Sequence, residues 1–151
     1  MTIKFAKEPW SETIEEMKPL FPRHWEELAA HKDIHEGMNY TVYELAEKMG
    51  QLWLYTVRDD AKLVGYAIFF VRPPLHYKQS VWAACDMMWV ASEARKPRVG
   101  QRFVKFFEAD LRANGVAVIN IGEKIVRPAL GRLLMSEDFV PIETHYQKRL
   151  S

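Results

Sequence analysis

MWVASEARKPRVGQRFVKFFEADLRANG, residues 88–115, changes its period halfway along. Its first residues, Met88 to Val90, finish the apolar run SVWAACDMMWV, which reads as a strand. From Gln101 onward Phe103, Val104, Phe107 and Leu111 recur at helical spacing, and Gly115 stands where a helix terminates. Between the two lie Arg95, Lys96, Arg98, Arg102 and Lys105, five cations and no acid in residues 95–105. A strand, a cationic loop, Gly100 and a helix start together make an anion site: unpaired N–H groups of the first turn point outward and the helix dipole adds positive charge. Phosphate is the anion this pattern predicts. Gly100 would let the backbone close on it, and Arg95, Lys96, Arg98 and Arg102 would surround it. A solvated basic loop before an ordinary amphipathic helix fits the same residues.

Upstream, QLWLYTVRDDAKLVGYAIFFVRP (residues 51–73) reads as two β-rich runs joined by a turn at residues 58–61. With the run ending at Val90 they predict an antiparallel meander. Downstream, VAVINIG (residues 116–122) reads as a short buried strand, Arg127 to Ser136 as a short helix, and FVPIETHYQKRL (residues 139–150) as one or two closing strands. At the start, Thr2 to Lys7 alternates as a strand would. Pro9 then introduces a helix with Ser11 as its N-cap, although the residue three further on, Ile14, leaves no capping box. Residues 22–32 and 40–49 repeat apolar side chains helically, with Gly50 as a stop. Strands followed by a β-α-β unit predict an α+β (mixed α/β) sheet.

Length sets the outer bounds. The 151 residues, 48% apolar and 27% charged, suit one domain over residues 1–151 with one core. The net charge of +1 provides no global field for nucleic acid or an anionic membrane. Charge is uneven along the chain, with six basic and ten acidic residues in 1–50 against fifteen and ten in 51–151. Cys85, the single cysteine, excludes an internal disulfide and a multi-cysteine metal site, and fits a reducing compartment. The apolar run Tyr66 to Val71 is too short to span a bilayer, and residues 1–10 lack the apolar core of a signal peptide. The expectation is a soluble cytoplasmic protein.

Among phosphate motifs, neither G-x-x-x-x-G-K-[ST] nor G-x-G-x-x-G after an N-terminal strand is present, which argues against a nucleoside triphosphatase and a dinucleotide fold. The order strand, cationic loop, helix, strand VAVINIG, short helix and DFVPIETHYQKRL resembles the GCN5-related N-acetyltransferase (GNAT) superfamily. That family's signature is Gln/Arg-x-x-Gly-x-Gly/Ala. Arg95 stands at its first position, Gly100 at its last, and Arg98 replaces the middle glycine. The chain is also similar to small acetyltransferase-like proteins of tailed phages and prophages, which would place it in a host cytoplasm.

The resemblance implies a mostly antiparallel central sheet flanked by helices, with a β-α-β unit binding acyl-CoA. It implies acetyl-CoA as co-substrate, its pyrophosphate on Arg95, Lys96, Pro97, Arg98, Val99, Gly100 and Gln101, and its pantetheine arm on the strand edge at Met88, Trp89 and Val90. An amine would attack the thioester directly, the acceptor being a small cationic amine or a protein lysine. Asp86, set in an otherwise apolar strand, is the first candidate to take the amine proton, since burial there would make it a stronger base. A structural carboxylate is the plainer alternative. His76, after Pro73-Pro74, is a second candidate, with Tyr77 beside it as a substrate contact. Tyr146, on the expected closing strand, could protonate the thiolate, because the family's usual position for that acid is Leu134 here. Glu123 would orient the amine or pair with Lys124 or Arg127.

His24, His31 and His35 recur at spacings of seven and four residues, but with only Asp33 and Glu36 nearby they make a poor zinc set, and no metal is expected. Trp25, Tyr40, Tyr43 and Trp53 read as core or pocket wall. Two other functions compete: transfer to a nucleic-acid amine, which would need salt-sensitive binding, and a non-catalytic module that keeps only the fold. A homodimer is compatible with all three.

Overall fold

The computed structural model describes residues 2–34 and 37–151. In chain order the elements are β1 (Ile3–Glu8), α1 (Trp10–Met17), a short 3₁₀ turn (Lys18–Leu20), α2 (Phe21–Leu28), α3 (Tyr40–Lys48), β2 (Leu52–Asp59), β3 (Lys62–Arg72) and β4 (Trp82–Val90). A second 3₁₀ turn (Ser92–Ala94) then precedes α4 (Val99–Ala113), β5 (Val118–Asn120) and α5 (Ala129–Ser136). The strands form one sheet in the order β1-β2-β3-β4-β5, antiparallel except for the parallel pair β4 and β5. This is the mixed α+β sheet expected of the sequence.

Period-two alternation decides which helix covers which face. Phe5, Tyr55 and Phe69 turn to α4, where Phe5 stacks on Phe103 at 5.5 Å between centroids and Phe69 meets Phe107 at 5.0 Å. The opposite face carries Tyr66 against Phe21 of α2 and Phe70 against Tyr43 of α3. Tyr55 is fully buried yet satisfied, because its hydroxyl donates to Asp110 at 2.6 Å. Burial, then that carboxylate, push its phenol far above the ordinary range. A half-buried network ties β1 and α1 to β2: Arg58 donates to both Glu8 and Glu16, and Thr56 also donates to Glu8.

Several boundaries differ from the sequence reading. The α1 N-terminus begins at Trp10, two residues earlier than a Ser11 cap allows. It is Glu47 of α3 that accepts the Ser11 N–H at 3.1 Å, so a carboxylate from another helix does the capping. VAVINIG contributes only three strand residues. The largest correction is the C-terminal segment: residues 140–151 form neither helix nor strand, and no strand of the sheet pairs with them. Alternation alone cannot make a strand where no neighbour supplies a ladder.

Candidate functional site

The site begins where β4 and β5 separate. They pair at Trp82↔Val118, Ala83↔Ile119 and Ala84↔Asn120, and no further. Against β3, Ile68 faces Met87 and Phe69 faces Cys85, which leaves Asp86 as the extra residue of a β-bulge. A bulge bends its strand, so β4 turns away just beyond the last paired residue. On the other side, Ala91 donates its N–H to Val64 at 2.7 Å. By alternation the peptide groups of Met88 and Val90 point the other way, into the gap left by β5. One of them is in use, since the Val90 carbonyl accepts from Arg95 Nε at 2.7 Å.

The cationic loop continues from that edge into α4. Arg98, immediately before the helix, has φ 66° and ψ −2°, a left-handed conformation in which glycine is at ease and arginine is not. The position that carries glycine in the resembled signature thus keeps a glycine's backbone while bearing a guanidinium. Among the described residues the N–H groups of Gly100 and Gln101 find no acceptor, as the first turn of a helix dictates. Lys96 and Arg98 are exposed and without an ion pair in the described residues, and Arg102 lies over the Phe5 ring at 5.3 Å. Free donors and cations of this kind fit an oxyanion. Gly100 has a packing role too: a Cβ there would come within 2.8 Å of Leu133 Cδ2 on α5.

Arg95 behaves differently from the expectation that it faces phosphate. Its guanidinium is held by Glu27 of α2 at 2.7 and 2.8 Å as well as by Val90, so it braces α2 against the loop. A charge already satisfied twice has little reason to turn to a third partner.

Beside that brace an open cleft of about 630 Å³ runs between α2, Trp89 and Arg127, with Arg23 at its rim. Burial works to raise the Glu27 carboxyl, but the Arg95 hydrogen bonds and charge outweigh it and hold the group below the usual carboxylate range. Trp89 has a buried N–H that lies near Glu27 without completing a well-formed hydrogen bond. His24 stacks on Trp89 at 5.8 Å, and its Nδ1 shares a 2.8 Å hydrogen bond with the Tyr66 hydroxyl. Burial depresses the His24 imidazole to about 4, with Arg95 adding to the effect against Glu27. It is a neutral ring at physiological pH. Glu93 pairs with Arg23, which pulls its carboxyl down to about 2.

Asp86 is exposed, not buried as the apolar surroundings in sequence suggested: it follows the exposed Ala84 on the same face of β4, where the strand has the bulge. Its carboxylate accepts from Tyr43 Oη at 2.5 Å. Burial and then Asp86 push the Tyr43 phenol well above its ordinary value, so Tyr43 remains a donor. Asp86 meets Tyr43 of α3 and Trp89 meets His24 of α2, on one face of the sheet. Burial also raises the Cys85 thiol, which suits an inert side chain.

The remaining sequence candidates are scattered. His76 is exposed in the β3–β4 loop, and Tyr77 stacks on Trp82 at 4.8 Å, at the end of β4 opposite Val90. Glu123 accepts the Gly131 N–H at 2.7 Å and so caps α5, not Lys124 or Arg127. Tyr146 is 93% exposed on the C-terminal segment, which corrects its placement on a closing strand. His31 bonds Gln147, His35 and Glu36 lie outside the described residues, and among the described residues no three metal-ligating side chains come together. Sequence reasoning missed Glu27, His24 and Tyr43 as partners of the site. Tyr43 was read only as core or pocket wall and His24 only as part of a poor zinc set, because helical spacing says nothing about a residue far off in sequence.

Comparisons with known proteins agree with this geometry. A ribosomal-protein-alanine N-acetyltransferase from Brucella melitensis biovar Abortus 2308 superposes with a TM-score of 0.73 at 14% identity, covering 99% of this chain and 100% of that one. An aminoglycoside acetyltransferase from an uncultured soil metagenomic sample, in complex with sisomicin, gives 0.75 at 12% identity over 99% and 97%. A predicted acetyltransferase from Clostridium acetobutylicum, with acetyl-CoA, gives 0.70 at 9% identity over 98% and 96%. No curated protein matches the sequence. At these identities the likeness is one of fold. The profile of the Acetyltransferase (GNAT) family matches residues 10–128, the region that holds the diverging strands, the cationic loop and α4, and the chain belongs to that family.

Proposed function

We propose that the chain is an N-acetyltransferase, folded as one domain over residues 1–151, that transfers acetyl from acetyl-CoA to a primary amine by direct attack. The observation that carries this reading is the separation of β4 from β5 after Ala84 and Asn120, with the edge of Met88 and Val90, of which only the Val90 carbonyl is in use, by Arg95, leading to the free N–H groups of Gly100 and Gln101. Acetyl-CoA supplies the thioester whose carbonyl the amine attacks. The residues of the loop, Lys96, Pro97, Arg98, Val99, Gly100 and Gln101, hold its phosphates through backbone donors and the two exposed cations. Arg95 positions α2 and the Val90 carbonyl and yields that carbonyl when the pantetheine arm enters. Asp86, fixed by Tyr43 at the bulge, takes the amine proton directly or through water. The departing thiolate collects a proton from solvent or from a residue of the C-terminal segment, Tyr146 being the nearest to that role in chemistry.

The acceptor is a small amine or a protein N-terminus or lysine. Support comes from the fold neighbours, whose substrates, an aminoglycoside and the alanine of a ribosomal protein, are amines of those two kinds. The reading places the enzyme in a cytoplasm, a host's if the gene is a phage's. A second reading, a module that keeps the fold without the chemistry, is favoured by Arg98 at the signature glycine and by Arg95 bound to Glu27.

Thermal unfolding with saturating acetyl-CoA, against adenosine, tests the binding step. Ligand at about a hundredfold its Kd stabilises the fold by about 2.7 kcal/mol, several degrees for a chain of this size. Release of free thiol over a panel of amines then separates enzyme from module: binding without thiol release selects a module that keeps the cofactor, and no acetyl-CoA shift at all overturns the enzyme reading and leaves a module that keeps only the fold.

A further inference from the structure

The charges that line the cleft beside the Glu27–Arg95 brace are answered within the protein, all but one. Arg23 pairs with Glu93 at 2.7 Å, Glu26 with Lys32 at 2.8 Å and Glu27 with Arg95 at 2.7 Å. Arg127, on the loop between β5 and α5, is the exception. It is exposed, forms no ion pair among the described residues, and reaches Glu27 only as a longer-range charge. The paired groups cancel, so the cleft as a whole keeps one positive charge. Trp89 walls it with a buried indole whose N–H has no well-formed partner, which leaves the same place short of a second acceptor. A free guanidinium and an unsatisfied N–H in one cleft fit an oxygen anion.

We propose that Arg127 binds a carboxylate carried by the acceptor, so that the substrate is a small amine with a carboxylate of its own, of the amino-acid kind. This rests on the acetyltransferase reading and selects between its acceptors, since a peptide bond has consumed the α-carboxylate in both a protein lysine and a protein N-terminus. A guanidinium offers two parallel N–H donors to the two oxygens of a carboxylate. A monoanion also matches the single free charge, whereas a phosphate dianion would bring a second negative charge up against Glu26 and Glu27. The place suits an acceptor as well. Trp89 lies between Met88 and Val90, the edge assigned to the pantetheine arm, and Trp89 and Asp86 project to the same face of the sheet. A substrate anchored at Arg127 therefore lies on the side where Asp86 can take its proton. Its nitrogen forms the amide bond to the acetyl carbon as the thioester C–S bond breaks. Asp86 or water takes the nitrogen's proton, and the sulfur leaves as the thiolate of coenzyme A.

N-acetyl-L-phenylalanine and N-acetyl-L-phenylalaninamide, a product of the proposed reaction and its uncharged match, test the site without acetyl-CoA. The ring suits Ile125 and Val126, which stand 89% and 71% exposed just before Arg127. Each compound is titrated into the full chain by heteronuclear NMR, following the indole N–H of Trp89, identified with Trp89→Phe. That indole reports on Arg127 through Glu27, which lies near both. The acid is expected to bind about tenfold more tightly than the amide, or better. Arg127→Gln abolishes the preference, and Arg132→Gln, which removes an equal charge from α5 outside the cleft, keeps it. Equal binding of acid and amide, binding of neither, or a preference that survives Arg127→Gln overturns the proposal. So does tighter binding of phenyl phosphate than of the acid, or a loss of coenzyme A affinity in Arg127→Gln as large as its loss for the acid. If acetyl-CoA gives no thermal shift while the acid's preference holds, the acetyltransferase reading fails and the carboxylate site stands.

Discussion

Arg98 is the residue at which local strain and proposed function meet. At φ 66° its side chain crowds the following carbonyl, a cost of about 1–2 kcal/mol that glycine escapes. Arg98→Gly is expected to stabilise the fold by about 1 kcal/mol, part of the relief being returned through the greater freedom of the unfolded chain. Arg98→Val should destabilise it. Thermal denaturation of the two reads both signs, and acetyl-CoA titrations of the same proteins show what the guanidinium adds. His24 gives a prediction in pH. Its folded value is about 4 against 6.5, so between those values the unfolded chain binds a proton that the native ring refuses. Stability is fully present above pH 6.5 and falls as pH drops toward 4, by on the order of 2 kcal/mol after allowance for partial exposure. Chemical denaturation between pH 5 and 6.5, above the window in which the lowered Glu27 and Glu93 titrate, should show this slope, and His24→Phe should remove it. Asp86→Asn is expected to lower kcat at least tenfold while leaving acetyl-CoA affinity nearly unchanged. Equal loss of both would take Asp86 out of the proton's path.

At the scale of elements, two contacts set the geometry of the proposed cofactor loop. Glu27 and Arg95 fasten α2 to it, with the Glu27 side chain 19% exposed and that of Arg95 40%. Half-exposed pairs contribute less than buried ones, so Arg95→Met should cost about 1 kcal/mol. Its sharper consequence is a faster backbone exchange at Val90 and in α2, measurable by hydrogen exchange. The second contact is between α4 and α5. Gly100→Ala presses on Leu133 Cδ2, the end of a flexible side chain, and should cost about 1 kcal/mol, most of it restored by Leu133→Ala in the same protein. Additive losses in the double variant would mean that the two helices do not touch there.

Over the whole molecule, stability is graded. The central strands β2 and β3 hold more of the buried aromatic and aliphatic residues than any other two strands and should exchange their amides last. Residues 140–151 should exchange as fast as an unfolded chain in dilute solution. Much of this plan was legible in the residues alone. The meander was readable because Leu52 to Arg72 is two runs rich in apolar, aromatic and β-branched residues on either side of a two-residue turn, Asp60-Ala61, in which Asp60 takes the left-handed conformation that aspartate tolerates. The cationic loop and α4 were readable because glycine, charge and helical period are local signals. The brace from Glu27 to Arg95 was not, since 68 residues separate its ends. Nor was the contact between Asp86 and Tyr43, whose residues are 43 positions apart. The closing strand failed for the same reason: residues 139–150 have a strand's alternation and lack a strand's neighbour.

The sequence by itself therefore determined the periods, the turns, the loop's charge and the family resemblance, because each is written in residues a few positions apart. Only the tertiary structure decided where β4 leaves β5, which arginine is already committed, what Asp86 meets, and that residues 140–151 pair with no strand. Those outcomes turn on pairings between segments distant in the chain, and such pairings are chosen by the whole sheet at once.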